Sequence, residues 1–222
     1  LTIQLMSDEA LKTSEIEGEI LDRESVQSSI QRQFGLKTTY AKKSSPAEQG
    51  ISEMMVDVYQ GYADKLSHDT LFGWHEMLTN GRRDLRDIGQ YRTHDEPMQI
   101  ISNRLDRPQI HYEAPPSKII KREMTAFLNW FNKRGNEGAL IRSGIAHLYF
   151  ESIHPFEDGN GRIGRAISEK SLSQSLSRPT LIALSQTIEA HKKEYYAALQ
   201  RNSSGGLDIT DLQAVINYEL PW

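Results

Sequence analysis

The segment HPFEDGNGRIGR, residues 154–165, holds side chains that together could carry out chemistry on an anionic ligand. His154 has an imidazole that titrates near neutrality and could take a proton from a hydroxyl group. Asp158 offers the hard carboxylate oxygen that magnesium prefers. Arg162 and Arg165 are three residues apart, so on a helix their guanidinium groups could bind the same phosphates. These residue types predict a site for phosphoryl or nucleotidyl transfer.

The backbone of this segment is also suited to an anion. Pro155 disfavours helical geometry at His154, which predicts that a preceding helix ends there. Helical periodicity resumes near Gly161, so the sequence DGNG lies just ahead of a helix N-terminus. Free N–H groups and the helix dipole favour negative charge at such a position, and glycines let the main chain approach a phosphate closely. Phe156 is expected to point into the core and to anchor the loop.

The rest of the chain predicts an all-α fold with one small β-hairpin. Apolar residues recur at helical spacing in residues 1–21, 23–34, 51–66, 69–78, 117–133 and 138–153. The last of these stretches is apolar on nearly all sides and is expected to lie at the centre of the fold. Residues 98–101 and 109–112 favour β-structure and flank a polar turn, which predicts a hairpin.

The overall composition narrows the possible functions. The chain of 222 residues is 37% hydrophobic, which is enough for a sizeable core, and its net charge of −4 argues against nucleic-acid binding through general basicity. The absence of cysteine excludes disulfides and thiolate metal sites. No apolar run approaches the ~18 residues of a membrane span, and no leader-like segment is present. We therefore expect a cytoplasmic protein without a membrane partner.

Other catalytic motifs are not found. The sequence contains no P-loop and no dinucleotide-binding glycine motif, and WHEML, residues 74–78, lacks the second histidine of a zincin site. His147 lies seven residues before His154 and could share a helix face with it, but the break at Pro155 turns His154 in another direction. His147 is therefore expected to be a core residue or a supporting residue.

At every defined position, HPFEDGNGRIGR matches the signature loop of the Fic family of nucleotidyltransferases, in which this loop joins two helices. The chain resembles that family over residues 71–199. The resemblance implies a Fic-type helical bundle with one small hairpin flap. It also implies an N-terminal helical segment, residues 1–66, followed by a catalytic core with C-terminal helices, residues 67–222.

The resemblance implies that ATP is the substrate and that Mg²⁺ is required. His154 would activate a hydroxyl that attacks the α-phosphate, so that AMP is transferred and pyrophosphate leaves. Asp158 would hold Mg²⁺ between the α- and β-phosphates, and Arg165 would hold the γ-phosphate. The ATP-binding positions implied in total are Gly159, Asn160, Gly161, Arg162, Gly164, Arg165, Tyr195, Tyr196 and Asn202, with the tyrosines beside the adenine and Asn202 near its edge.

A second segment, TSEIEG at residues 13–18, resembles the inhibitory motif of Fic proteins that carry an N-terminal inhibitory helix. The matching residues are Thr13, Glu17 and Gly18. The resemblance implies that Glu17 pairs with Arg165. A carboxylate there would compete with the γ-phosphate and leave ATP misplaced. We therefore expect an autoinhibited enzyme.

The hairpin resembles the flap that docks the target protein in this family. The docking positions would be Met98, Gln99, Ile100 and Ile101. Addition of a target strand would position a Ser, Thr or Tyr hydroxyl through main-chain hydrogen bonds. Self-modification and a homodimer stay open, and nucleic acid is expected to be contacted only through a domain outside this chain.

Three alternatives use the same residues. Glu17 could position a water that removes AMP from a modified protein. The site could instead transfer phosphate or UMP, although Gly161 and Arg162 favour a nucleotide in the usual orientation. A non-catalytic nucleotide-sensing module is the third alternative, and it would have no need of the base His154.

Overall fold

The computed structural model describes residues 1–38, 43–101, 110–133, 135–180 and 184–203, and over these ranges the chain is mainly helical. The described helices are α1 (Thr2–Ile16), α2 (Arg23–Gln33), α3 (Pro46–Gln60), α4 (His68–Leu78), α5 (Ser117–Asn132), α6 (Ala139–Ile153), α7 (Asn160–Leu176), α8 (Leu184–Ala190) and α9 (Lys192–Ser203). Strands β1 (Gln99–Ile101) and β2 (Ile110–Glu113) form one antiparallel hairpin. The predicted fold class, all-α with a small hairpin, is confirmed. None of these helices is both long and apolar enough to cross a membrane.

Side-chain caps explain where several helices begin. The Asp22 carboxylate accepts a hydrogen bond from the Ser25 N–H at 2.8 Å, which starts α2 as predicted. Ser45 and Glu48 form a reciprocal capping box at the start of α3, and Pro46 occupies the first turn. Helix α3 ends at Gln60 rather than continuing to residue 66. The predicted helix over residues 1–21 also ends early, at Ile16.

The core forms where α6 and α7 pack against each other beneath α3, α4 and α5. Phe127, Phe150, Phe156 and Ile163 are fully buried in it. The expectation that α6 is buried on nearly all sides holds only for its C-terminal part. Its first turn exposes Leu140 by 52% and Ile141 by 41%. The end of α6 that leads into residues 154–165 is therefore its buried end.

Helix α1 docks against α2 and α8 and approaches the N-terminal part of α7. Met6 and Ala10 are buried on its inner face. The Glu9 carboxylate accepts hydrogen bonds from the Ser185 hydroxyl and from the Ser185 N–H, the latter at 3.0 Å. At the C-terminal end, Lys192 Nζ donates to the Ile16 carbonyl at 2.7 Å. These contacts with α8 and α9 hold the end of α1 in a defined place.

The Glu9 contact predicts that stability depends on pH. Burial raises the pKa of Glu9 to about 7, with Glu169 adding to the rise and the Ser185 hydrogen bonds opposing it. Between pH 4.5, the pKa of Glu9 in the unfolded chain, and about pH 7, the folded chain holds a proton that the unfolded chain has lost. The contribution of Glu9 to the free energy of unfolding therefore falls as the pH rises through this range. Glu9→Gln should therefore raise the free energy of unfolding at about pH 8 and change it little near pH 5.

Urea denaturation at the two pH values would measure this difference. Glu24→Gln is the matched control, because Glu24 is an exposed carboxylate on α2. An effect of Glu9→Gln that is the same at both pH values would contradict the prediction.

Candidate active site

The loop between α6 and α7 begins with a sharp change of backbone direction. Helix α6 ends at Ile153, as the following proline led us to expect, and His154 takes the left-handed conformation at φ 49° and ψ 59°. Arg92 holds this turn in place. Its side-chain Nε donates to the His154 carbonyl at 2.9 Å, and its backbone N–H donates to the Pro155 carbonyl at 2.9 Å. Arg92 thus fixes the main chain on which the imidazole stands.

Phe156 and Asn160 anchor the middle of the loop. The Phe156 ring is fully buried and stacks on His75, with 4.3 Å between the ring centroids. Asn160 Oδ1 accepts from the Phe156 N–H at 2.9 Å, and Asn160 Nδ2 donates to the Phe156 carbonyl at 2.8 Å. The side chain of Asn160 is therefore occupied inside the loop, so that only its backbone is left to serve the predicted anion site.

This double contact predicts a structural effect of Asn160 in the absence of any ligand. Asn160→Ala leaves the buried N–H and carbonyl of Phe156 without partners, so the free energy of unfolding should fall by about 1–3 kcal/mol. Urea denaturation of the free chain measures it. Asn129→Ala, an exposed asparagine on α5, is the control and should change stability by less than about 0.5 kcal/mol. Equal effects of the two substitutions would show that the two hydrogen bonds between Asn160 and the Phe156 backbone do not stabilise the fold.

Asp158 lies between cations at the start of α7. Its Oδ2 accepts from Arg82 Nη1 at 2.6 Å, and its Oδ1 accepts from the Gly159 N–H at 2.6 Å. Arg162 Nη2 lies 3.6 Å from Oδ1. Burial alone would raise the pKa of Asp158, but the hydrogen bond from Arg82 and the charge of Arg162 outweigh it and lower that pKa. The carboxylate therefore favours its ionised form, and it is already paired with the Arg82 guanidinium.

The residues fit a magnesium ion that is held mainly by a substrate. No group of three or more histidines, aspartates or glutamates with metal-binding geometry occurs within the described ranges. Asp158 alone would supply a protein oxygen, and its side chain is 36% exposed. Magnesium is commonly bound by one or two carboxylates together with phosphate oxygens and water. Arg82 shares Asp158 and would have to share it with the metal.

The predicted contact between Glu17 and Arg165 is present. Glu17 Oε1 accepts from Arg165 Nη2 at 2.7 Å, while the Thr13 hydroxyl and carbonyl accept from the same guanidinium at 2.7 and 2.9 Å. Arg165 is only 2% exposed. Glu17 also covers Gly161, because a Cβ at residue 161 would lie 2.1 Å from Glu17 Oε1. The carboxylate thus occupies the N-terminus of α7, where an anion is favoured.

A second carboxylate of the same segment contacts the other arginine. Glu19 Oε2 accepts from Arg162 Nη1 at 2.7 Å, and the Arg162 side chain is 6% exposed. Gly18 makes this possible: at φ 84° it donates to the Glu15 carbonyl, and Glu19 N–H returns to the Ser14 carbonyl at 3.0 Å. This is the helix-ending arrangement that favours glycine. It places Glu17 and Glu19 on the two motif arginines.

His154 is neutral at physiological pH. Burial lowers its pKa to about 4, and the charge of Arg92 adds to this effect. A neutral imidazole can accept a proton. Its Nδ1 lies 3.7 Å from Glu151 Oε2. Glu17 and Asp158 also act on it electrostatically, so the imidazole lies near the carboxylates at the N-terminus of α7.

His147 is buried, as expected of a core or supporting residue. Its Nε2 lies 2.7 Å from the Tyr195 hydroxyl, so α9 is tied to α6 at this point. The Tyr195 and Tyr196 rings meet edge to face with 5.2 Å between centroids, and Tyr196 is 42% exposed. Both tyrosines are thus near Arg165 and Glu17, which influence their pKa values. Their predicted contact with adenine stays a prediction.

The remaining site predictions concern backbone positions. Gly159 caps α7 at φ 81°, and Gly164 faces α6 rather than the anion site. Gln99, Ile100 and Ile101 form β1, with Gln99 opposite Glu113 and Ile100 opposite Tyr112. The Met98 carbonyl accepts from the Ala114 N–H at 2.9 Å. The turn at residues 102–109 and the Asn202 side chain lie outside the described part, and target docking stays a prediction.

Sequence reasoning missed three residues that shape this site. Arg82 and Arg92 contact residues 158 and 154, which are 76 and 62 positions away in the chain. Glu19 contacts Arg162 from 143 positions away. Only Glu19 carried a signal, because it is the next acidic residue after Glu17 in the segment EGE.

Comparison with known proteins supports the family assignment of the loop at residues 154–165. Residues 65–172 match the Fic/DOC family, and residues 1–36 match a domain of unknown function, DUF4172. The chain is 26% identical over 100 residues to a curated protein of Aquifex aeolicus (strain VF5) named "Probable protein adenylyltransferase"; the match covers 45% of this chain and 29% of that protein. It is 25% identical over 146 residues to "Protein adenylyltransferase fic-1" of Caenorhabditis elegans, covering 65% and 25%.

The fold has solved relatives. A Fic family protein from Desulfovibrio desulfuricans G20 superimposes with a TM-score of 0.67 at 24% identity, over 96% of this chain and 63% of that one. At this identity the likeness speaks for the fold. The chain spans less than a third of the length of either curated relative, at 29% and 25%.

Proposed function

We propose that this chain, whose residues 65–172 match the Fic/DOC family, transfers AMP from ATP to a hydroxyl group of a protein and is held inactive by its own N-terminal segment. One observation carries the proposal. His154, Asp158, Arg162 and Arg165 gather around the N-terminus of α7, and a carboxylate already occupies the position that an anion would take.

The proposed reaction assigns one task to each group. The neutral imidazole of His154 takes the proton of the target hydroxyl, whose oxygen forms a bond to the α-phosphorus. The bond from that phosphorus to the bridging oxygen breaks, and pyrophosphate leaves. Arg162, Arg165 and the free N–H groups of α7 bind phosphate oxygens. Magnesium at Asp158 would neutralise charge on the phosphates.

The proposed inhibition follows from competition for the same two guanidinium groups. Glu17 is on Arg165 and Glu19 is on Arg162, both at 2.7 Å. Phosphates of ATP can bind the arginines fully only when these carboxylates leave. If Glu17 alone leaves, Arg162 is still paired. We propose that Glu19 is a second inhibitory carboxylate, weaker than Glu17 because it contacts only Arg162, whereas Glu17 binds Arg165 together with Thr13 and also covers Gly161.

The names of the relatives support the chemistry at the level of the family. Two curated proteins similar to this chain are named as protein adenylyltransferases, and the match to the Fic/DOC family includes residues 154–165. A protein hydroxyl is therefore the acceptor that we propose, and the hairpin is the element that we propose to dock it.

Mass spectrometry can test this function directly. A Glu17→Gly variant would be incubated with ATP, magnesium and a cell extract, and peptides would be searched for an added AMP group. Adducts that are absent when His154→Ala is introduced would support transfer. Release of AMP from a modified protein by the unaltered chain would favour the removal reaction. ATP binding without turnover in every variant would favour a nucleotide sensor.

A further inference from the structure

Glu151 is a buried carboxylate beside the base that the proposed reaction leaves unexplained. It lies on α6 four residues after His147 and three residues before His154, and both Glu151 and His147 pack against Gly164 of α7. The Glu151 side chain is 13% exposed, and its Oε1 has no hydrogen-bond partner. A buried acceptor without a partner is destabilising, so its presence needs a reason.

Helix α7 makes room for this carboxylate. A Cβ at Gly164 would lie 2.5 Å from Glu151 Oε1 and 3.0 Å from His147 Nδ1. A side chain at residue 164 would therefore push Glu151 and His147 away. The glycine allows α6 and α7 to approach closely with Glu151 enclosed between them. The other oxygen, Oε2, lies 3.7 Å from His154 Nδ1, which is beyond hydrogen-bond distance but close enough for its charge to act on the ring, and the Glu151 backbone also hydrogen-bonds the imidazole.

The geometry points to Glu151 as a positioning residue for His154: its carboxylate faces Nδ1 and stabilises the imidazolium that forms when Nε2 accepts the hydroxyl proton. The inference rests on the proposed function. The proton stays on the imidazole during the step, and Glu151 contributes only its negative charge. Without such a charge, the burial and the Arg92 guanidinium that keep His154 neutral would also oppose the proton transfer.

The charge of Glu151 itself depends on pH. Burial raises its pKa to about 7, while Arg165 lowers it and Glu17 raises it. The ionisable groups that face Glu151 and His154 from the surrounding elements are Glu17, Arg92, His147, Asp158, Arg165, Tyr195 and Tyr196. The stabilising charge is therefore present above about pH 7 and is lost below it.

A purely structural role predicts the opposite set of results. If Glu151 served only to pack α6 against α7, Glu151→Gln would lower the urea concentration of unfolding and leave the pH profile of kcat unchanged. Replacing a buried carboxylate that lacks a full set of partners is often neutral or stabilising. We therefore expect Glu151→Gln to unfold at an unchanged or higher urea concentration at about pH 8, while its activity falls.

The kinetic test uses the Glu17→Gly variant as the active parent. Its kcat should rise with pH as Glu151 loses its proton. The midpoint of this rise should lie somewhat below pH 7, since the variant lacks the Glu17 charge that raises the pKa of Glu151. With Glu151→Gln added, this rise should disappear, and kcat at about pH 8 should fall about tenfold, which corresponds to one pKa unit. Below about pH 6 the two should converge, and KM for ATP should not change. Glu151→Asp should restore part of the rise.

A nuclear magnetic resonance test needs no activity. In the unaltered chain labelled with ¹⁵N, the His154 ring nitrogens should shift as Glu151 loses its proton near pH 7, and Glu151→Gln should abolish that step. Glu123→Gln is the matched control, since Glu123 on α5 is 17% exposed and lies in an ion pair with Arg122. It should leave both the shift and the kinetics unchanged.

The kinetic and the nuclear magnetic resonance measurements together distinguish failure of the proposed AMP transfer from failure of the proposed role of Glu151. If the Glu17→Gly parent transfers no AMP but His154 senses Glu151, the proposed function fails and the contact stands. If the parent is active and Glu151→Gln keeps the same pH profile and kcat, Glu151 is not a positioning residue.

Discussion

Replacing His154 with alanine is expected to lower AMP transfer by about 10²–10⁴-fold, the usual contribution of a positioned general base. The substitution would be made in the Glu17→Gly background, where transfer is measurable. His154 touches neither motif arginine, and its backbone is held by Arg92 through the carbonyl. The loss should therefore be in kcat, while the affinity for ATP and the free energy of unfolding change little.

Rates with labelled ATP, together with calorimetric titration of ATP, would separate these effects. His191→Ala is the matched control, because His191 is an exposed histidine whose Nδ1 contacts only the Thr187 carbonyl of its own helical turn. A His154→Ala variant that keeps its transfer rate would show that another group accepts the proton. A variant that loses ATP affinity as well would show that the imidazole also binds the nucleotide.

Releasing the two motif arginines is expected to produce the second large effect. Glu17→Gly should raise the rate of transfer about a hundredfold, because a misplacement of about 1 Å in the reacting groups can cost that much. Glu19→Gln alone should raise it only a few-fold, since Glu17 then still occupies Arg165 and covers Gly161. The double variant should exceed Glu17→Gly, because Arg162 and Arg165 are then both free for phosphates.

The control for this series comes from the same segment. Glu15→Gln removes a carboxylate whose partner is Lys12 on the surface of α1, not an arginine of the loop. It should leave the rate unchanged. ATP affinity, measured in parallel, should increase in the order of the rates. If the double variant binds ATP more tightly but transfers no faster, the carboxylates exclude nucleotide without controlling the chemistry.

Much of the loop could be predicted because its causes are local. A proline after His154 sets the end of α6, glycine at residue 159 allows the left-handed turn, and the acid and arginines follow at helical spacing. These effects act over a few residues, so they can be read from neighbouring letters. The same holds for the start of α2 at Asp22, where a side chain caps the helix three residues ahead.

The contacts that complete the site depend on how distant elements pack. Arg82 and Arg92 reach the loop from 76 and 62 positions away, and Glu19 reaches Arg162 from 143. No local pattern specifies such a pairing, because it exists only after α1, α4 and α6 have docked. The Glu17 contact was predicted only because the segment TSEIEG resembles the inhibitory motif of Fic proteins. Nothing in the sequence near Glu151 indicated that its carboxylate would be buried. Tertiary packing therefore determined the surroundings of these charged side chains, whereas local backbone preferences determined the conformation of the loop at residues 154–165.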